Sequence, residues 1–270
     1  MGTEFKIEPN WSRSKEQIWE ENFAQIDSAP NRGSNLRSLV YFRKVALYAA
    51  VAAAVLLLPF IYVERISTEM AEHTKFILPD GSSVSLNAGS ELSYKPILWF
   101  VSRRVKLFGE AYFEVEKGNT FTVLCRTGSV QVLGTSFNVF SREERFDVAC
   151  ITGSVKVTLT GNRGVNQVIE EGESVYKNEQ EGLTKLLSPE SKSVPSWINN
   201  VFNYNSAPLE EVIREIERQY NVKIEYSGDS DDIYTGSFSS QADIDELLEI
   251  ISLPFSLTVS KVEKDYYKIR

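Results

Sequence analysis

The sequence predicts a mainly β protein with a small α+β module at its C-terminal end, attached to a single apolar helix near its N-terminal end. Three patterns carry this reading. Residues 45–63 form a run of 19 positions without a charge. Short segments rich in Val, Phe, Tyr and Thr then follow one another over 76–178, each closed by Gly, Asn or charged residues. Beyond residue 201 the apolar spacing alternates between periods of about 2 and about 3.6.

Composition narrows the function classes. The chain has 270 residues, enough for two modest domains, with 29 Lys and Arg against 37 Asp and Glu. A net charge of −8 argues against nucleic acid, whose binding needs a basic face that displaces counterions. One His and two Cys leave no zinc finger, no His-based metal cluster and no disulfide scaffold. A Ser-His-Asp enzyme would have to use His73. No cofactor or metal is expected, and catalysis is not the leading expectation.

The apolar run, VALYAAVAAAVLLLPFIYV, would extend roughly 28 Å as a helix, close to the thickness of a hydrocarbon core. The alternative is a buried core helix, which typically runs shorter and carries one polar face. Pro59 stands near the end, where a membrane helix tolerates it, and Tyr48 and Tyr62 mark the two ends as interfacial aromatics do. The 44 residues ahead of the run are too many for a secretory n-region, and no A-x-A site follows, so an uncleaved anchor is expected. Arg32, Arg37, Arg43 and Lys44 flank one side. On the other, Arg65 and Lys75 are outweighed by Glu64, Glu69 and Glu72. The positive-inside rule then places 1–44 in the cytoplasm and 64–270 across the inner membrane, in the periplasm. Residues 1–44 hold seven bases and six acids, net +1, which leaves −9 for the rest.

Within the short cytoplasmic segment, 14–27 reads SKEQIWEENFAQID. Ser14 and Gln17 fit a capping box, and Ile18, Trp19, Phe23 and Ile26 recur at helical spacing. A helix this short cannot bury such a stripe on its own. It either lies on the membrane surface or docks on a partner; the acidic face formed by Glu16, Glu20 and Glu21 favours the partner. Residues 28–38 read as a tether.

The region 64–182 reads as an all-β domain, a sandwich or a stacked-strand solenoid. It contains one internal repeat: CRTGSVQV at 125–132 returns as CITGSVKV at 150–157, so two equivalent strand-turn-strand units are expected side by side. Cys125 and Cys150 occupy matching positions. Two buried thiols and one disulfide are both open to them in an oxidising compartment.

Five motifs occur in order: LPDGS at 78–82, LNAGS at 86–90, RRV at 103–105, GEAYFEV at 109–115 and VLGTSFNV at 132–139. In these the chain resembles the FecR family of membrane-bound anti-sigma regulators over about 76–180. The resemblance implies a periplasmic β domain and a cytoplasmic segment that holds an extracytoplasmic-function sigma factor. It also implies release by regulated proteolysis of the span. Some relatives are held to cleave themselves at the Gly-Thr corresponding to Gly134-Thr135, the Thr hydroxyl attacking the preceding carbonyl in an N–O acyl shift. The alternative, preferred here, is a tight turn in which Gly supplies the backbone and Thr a hydrogen bond.

Residues 183–200, with Pro189, Pro195 and several Ser, read as a linker. From 201 to 270 the expected order is β-α-β-β-α-β-β, with a short strand at 202–204, a helix start at Ser206 and Pro208, and a helical face of Leu209, Val212, Ile213, Ile216 and Tyr220. Asp229, Asp231, Asp232 and Asp243 lack EF-hand spacing, so a solvated turn is expected rather than a calcium loop. This module resembles the C-terminal domain that follows the FecR β domain in relatives. Its element order is also similar to the signalling domains of secretins and TonB-dependent receptors, which implies docking on an outer-membrane receptor, by edge-strand addition in one version. The leading expectation is thus an anti-sigma signal transducer that relays from such a receptor. The competing class is an anchored periplasmic binding or structural protein of the envelope with no sigma-factor partner.

Overall fold

The computed structural model describes residues 12–27, 36–161, 165–178, 182–187, 193–229 and 231–270, without the side chains of 24–27, 36–39, 56, 58 and 59. The chain divides into two compact units, 1–57 and 58–270.

The first unit is helical. Helix α1 (Lys15–Asp27) opens on the expected capping box: Gln17 N–H donates to Ser14 Oγ at 3.2 Å, and Ser14 N–H to Gln17 Oε1 at 3.1 Å. Helix α2 (Leu36–Ile61) runs 26 residues and begins nine positions before the apolar run. Most of the expected tether, 28–35, lies outside the described residues. Among the described residues no helix is long and apolar enough to cross a membrane; the apolar run is interrupted there by Leu56, Leu58 and Pro59, whose side chains lie outside them.

The second unit begins with thirteen strands. In chain order these are β1 (Glu64–Ser67), β2 (Thr74–Ile77), β3 (Ser83–Leu86), β4 (Glu91–Tyr94), β5 (Arg103–Glu114), β6 (Phe121–Leu124) and β7 (Gly128–Val132). Then come β8 (Ser136–Arg142), β9 (Arg145–Thr152), β10 (Ser154–Leu159), β11 (Asn166–Glu170), β12 (Glu173–Asn178) and β13 (Gly182–Leu187). They form two layers. One runs β1-β4-β5-β6-β7-β10-β11 and the other β2-β3-β5-β8-β9-β12-β13. Strand β5 belongs to both. Its first half pairs with β4, its second with β3 and β8, and the change falls at Gly109. There φ is +104°, and a Cβ would lie 2.7 Å from the Ser90 Cα, so only glycine lets the strand pass.

Inward residues of both layers meet in one apolar core. Phe113 stacks on Phe137 at 5.0 Å and meets Phe121 edge-on at 6.0 Å; Phe121 in turn meets Trp99. The domain is therefore a sandwich, and the solenoid alternative falls away. The repeat resolves in two different ways. Strands β7 and β10, its second halves, pair antiparallel, with Val157 opposite Val130. The first copy turns back within one layer, whereas the second passes from β9 in one layer to β10 in the other. The units are neighbours but not equivalent. Cys125 and Cys150 are free thiols. Burial pushes Cys125 up to about 12 and Cys150 up to about 11.

Two boundaries differ from expectation. Part of the expected linker, Leu183–Leu187, belongs to β13 and pairs with β12, Leu183 being buried. Trp197, also within it, is buried in the second core. Apolar residues spaced for a partner strand thus outweighed the Ser and Pro around them. Residues 188–192 lie outside the described residues.

The C-terminal module has the expected order: β14 (Val201–Pro208), α3 (Leu209–Tyr220), β15 (Lys223–Tyr226), β16 (Ile233–Ser239), α4 (Ile244–Ser252), β17 (Val259–Glu263) and β18 (Tyr266–Ile269). Strand β14 pairs with β16, and β15 runs parallel to β18, whose other neighbour is β17. The strand at 202–204 is longer than expected, because a bulge at Ser206 (φ +54°) carries it on to Pro208. Ser206 therefore starts no helix; its N–H donates to Thr235 Oγ1. Asp243 caps α4, accepting from the N–H groups of Asp245 and Glu246. Asp232 accepts from the Tyr226 hydroxyl at 2.8 Å.

Candidate functional site

Three places are candidates for function. The first is the α1 face. Trp19 and Phe23 stack with ring centroids 4.2 Å apart, and Trp19 is 62% exposed. Ile18 is half-buried, and the Ile26 side chain lies outside the described residues. An ion pair from Arg13 to Glu21 at 2.8 Å crosses another side of the helix. A stacked aromatic pair standing in solvent on a capped helix has the form of an anchor for a partner groove.

The second is the Gly134-Thr135 bond. Thr135 is buried, and its hydroxyl donates to the Ser154 carbonyl at 3.1 Å. The flanking chain is pinned by Gly118 N–H to Leu133 O (2.9 Å) and Val115 N–H to Thr135 O (3.1 Å). A Cβ on Gly134 would lie 2.8 Å from the Lys117 Cα, so glycine answers a close approach of backbone. An acyl shift needs a base to take the hydroxyl proton; here that proton faces a peptide oxygen.

The third place was not foreseen. The C-terminal module is packed on the outer face of the second layer, where Tyr112 and Ile151 join the module's own core. Beside that contact lies a polar junction. Glu110, on β5, accepts from Asn87 Nδ2 at 2.7 Å and Asn138 Nδ2 at 2.8 Å. Asn87 Oδ1 accepts from Gln219 Nε2 at 2.8 Å, and the same Gln219 nitrogen reaches Glu215 Oε1 at 2.7 Å. Gln219 Oε1 meets His73 Nε2 at 3.0 Å, and His73 stands edge-on to Trp197. Glu215 is buried and is held by Arg218. Arg142 donates to the carbonyls of Ala88 and Gly89.

Burial raises Glu110 above the ordinary carboxylate range, with Glu215 adding to the effect; Asn138, Asn87 and Arg142 oppose it. Burial likewise lowers Arg142, and Arg218 adds to that. Glu110, Arg142, Glu215 and Arg218 line a cleft of about 660 Å³ between the β domain and the C-terminal module. Salt bridges close its rim, from Arg145 to Glu211 and from Arg214 to Glu143. Gln219 carries the bonds that cross between the two domains, to Asn87 and to His73, and the bonds within each side hold these groups in place for it. His73 serves this contact, and no hydrogen bond to a Ser hydroxyl is described for it.

Asn87 and Gln219 lie 132 positions apart, so no local pattern could join them. The available signal was in α3, where Glu215 and Gln219 stand four apart beside the apolar face: polar residues placed where burial was already expected.

A model of the FecR protein family matches residues 64–156, and a FecR C-terminal model matches 201–269. Two crystal structures of a candidate anti-sigma factor from Parabacteroides distasonis ATCC 8503, at 1.65 and 2.50 Å resolution, superimpose with a TM-score of 0.69 and 28% identity. The match covers 77% of this chain and 98% of that one. No curated protein matches the sequence. The two matched stretches are the two domains on either side of the polar junction, and the chain belongs to the FecR family.

Proposed function

We propose that this chain is an anti-sigma factor that carries a signal across the inner membrane. Membership of the FecR family and likeness to a candidate anti-sigma factor support the anti-sigma role. The observation that carries the reading further is the exposed Trp19–Phe23 stack on a capped helix too short to have a core of its own. That face, with Ile18 and Ile26, docks on an extracytoplasmic-function sigma factor in the cytoplasm. Helix α2 spans the membrane through the uncharged run 45–63, with the basic residues before it inside. The two outer domains, held together at the Glu110–Asn87–Gln219 junction, receive the state of a TonB-dependent outer-membrane receptor in the periplasm. The chain acts as an uncut polypeptide, since Thr135 is hydrogen-bonded to a peptide oxygen rather than to a base.

The test is co-purification of the full chain with a sigma factor from the native host. The wild type should retain it and Trp19→Ala/Phe23→Ala should lose it. Loss of both signals, with the chain intact in the membrane, would favour an anchored envelope protein without a sigma-factor partner. Fragments split between 134 and 135 in a mass spectrum of the purified chain would overturn the uncut reading.

A further inference from the structure

We infer that the loop between β4 and β5 is a second membrane contact, an apolar tip that seats the β domain on the outer leaflet of the bilayer from which the chain emerges. The loop is built rather than slack. A 3-10 turn (Pro96–Leu98) leads to Trp99, which is buried and packs edge-on against Tyr94 and Phe121 at 5.4 and 5.9 Å. Arg103 braces the far side, bound to Asp80 and to the carbonyls of Glu116 and Asn119. With Trp99 anchored inward, its neighbours are forced outward: Phe100 is 89% and Val101 86% exposed, and Ile97 is exposed as well. Three large apolar side chains on one short loop need a partner to cover them.

Its position says which partner. Strand β4 is antiparallel to β1, and Tyr94, the last residue of β4, lies opposite Glu64, the first residue of β1. The loop therefore leaves the sheet at the same end at which the chain enters it from α2. Lys95 Nζ donates to the Phe60 carbonyl at 2.7 Å, tying the root of the loop to the C-terminal end of α2. Lys95 and Arg104 stand at the two ends of the loop, and Arg65 and Lys106 lie opposite Ser93 at its root, against Glu64 and Glu91, a basic surplus that suits acidic headgroups. Apolar tips set among cations are what an interfacial lipid contact requires. The inference rests on the proposal that α2 spans the membrane.

The test uses the full chain in vesicles of phosphatidylethanolamine and phosphatidylglycerol, with a nitroxide on Phe100→Cys, Val51→Cys or Ile250→Cys. Wild type treated in the same way supplies the background from Cys125 and Cys150. Collisions with a water-soluble nickel chelate should be lost at 51 and at 100, relative to 250 on α4, and collisions with dissolved oxygen should replace them. A label at 100 as open to nickel as that at 250, with 51 shielded, overturns the loop contact and leaves the span standing. Nickel access at 51 overturns the span instead, and the label at 100 still decides the loop. Val101→Cys reports on the same edge if Phe100→Cys disturbs it.

Discussion

The sandwich core and the domain junction hold their parts together by opposite means. Between the two layers the contact is apolar: Phe113, Phe121 and Phe137 fill it with rings and have no polar group to satisfy. Between the β domain and the C-terminal module, a small apolar patch at Tyr112 and Ile151 is accompanied by carboxylates, amides and guanidinium groups bonded in a chain. Apolar contact is non-directional and tolerates small shifts. A hydrogen-bonded network permits one arrangement and is lost as a unit. The difference separates a contact that tolerates small shifts from one set by direction.

The largest effect should come from the core. Phe113→Ala leaves a cavity between stacked rings and should cost about 3–5 kcal/mol, seen as a large fall in the denaturation midpoint of the outer unit. Glu110→Ala takes the acceptor from Asn87 and Asn138 and should cost about 2–3 kcal/mol. Its signature should be a C-terminal module that melts apart from the sandwich in calorimetry. One unchanged joint transition would show that the junction does not hold the domains together.

A finer effect concerns charge. An acid whose folded value is raised weighs on stability once pH exceeds its unfolded value, and is relieved as pH falls through the folded one. Glu110 is raised from 4.5, by burial first. Wild type should therefore lose stability relative to Glu110→Gln as pH climbs above 4.5, in paired denaturation series. A difference that stays flat with pH would place the role of Glu110 in its hydrogen bonds alone. The smallest effect should be at the rim. Arg214 pairs with Glu143 and Glu210 in solvent, so Arg214→Ala should change stability by about 0–1 kcal/mol and vanish into salt. A loss as large as that of Glu110→Ala would erase the distinction between rim and centre.

Much of this was legible because it was local. The capping box at Ser14 and Gln17, the alternation in β8 and β10, and the face of Leu209, Val212, Ile213 and Ile216 are each set within a few residues, where period and burial agree. What could not be read was long-range or two-valued. The two repeat copies share six identical residues of eight, yet one turns within a layer and the other crosses between layers. That choice depends on which strand edges remain free when each copy pairs. The Ser- and Pro-rich stretch around Leu183–Leu187 concealed a strand whose only signal was its fit to β12. The junction demanded knowledge of which loops meet α3, and that follows from topology alone.

Strand β5 gives the molecule a mechanical axis. Four residue pairs join β1 to β4 and four join β4 to β5, so tension entering at Glu64 passes into β5 near Tyr94. From Val105, opposite Tyr94, to Glu110 in the junction is five positions along the same strand, about 17 Å when extended, with the corner at Gly109 between them. The junction and the root of the apolar helix are thus joined by a short path of paired backbone rather than by a loop.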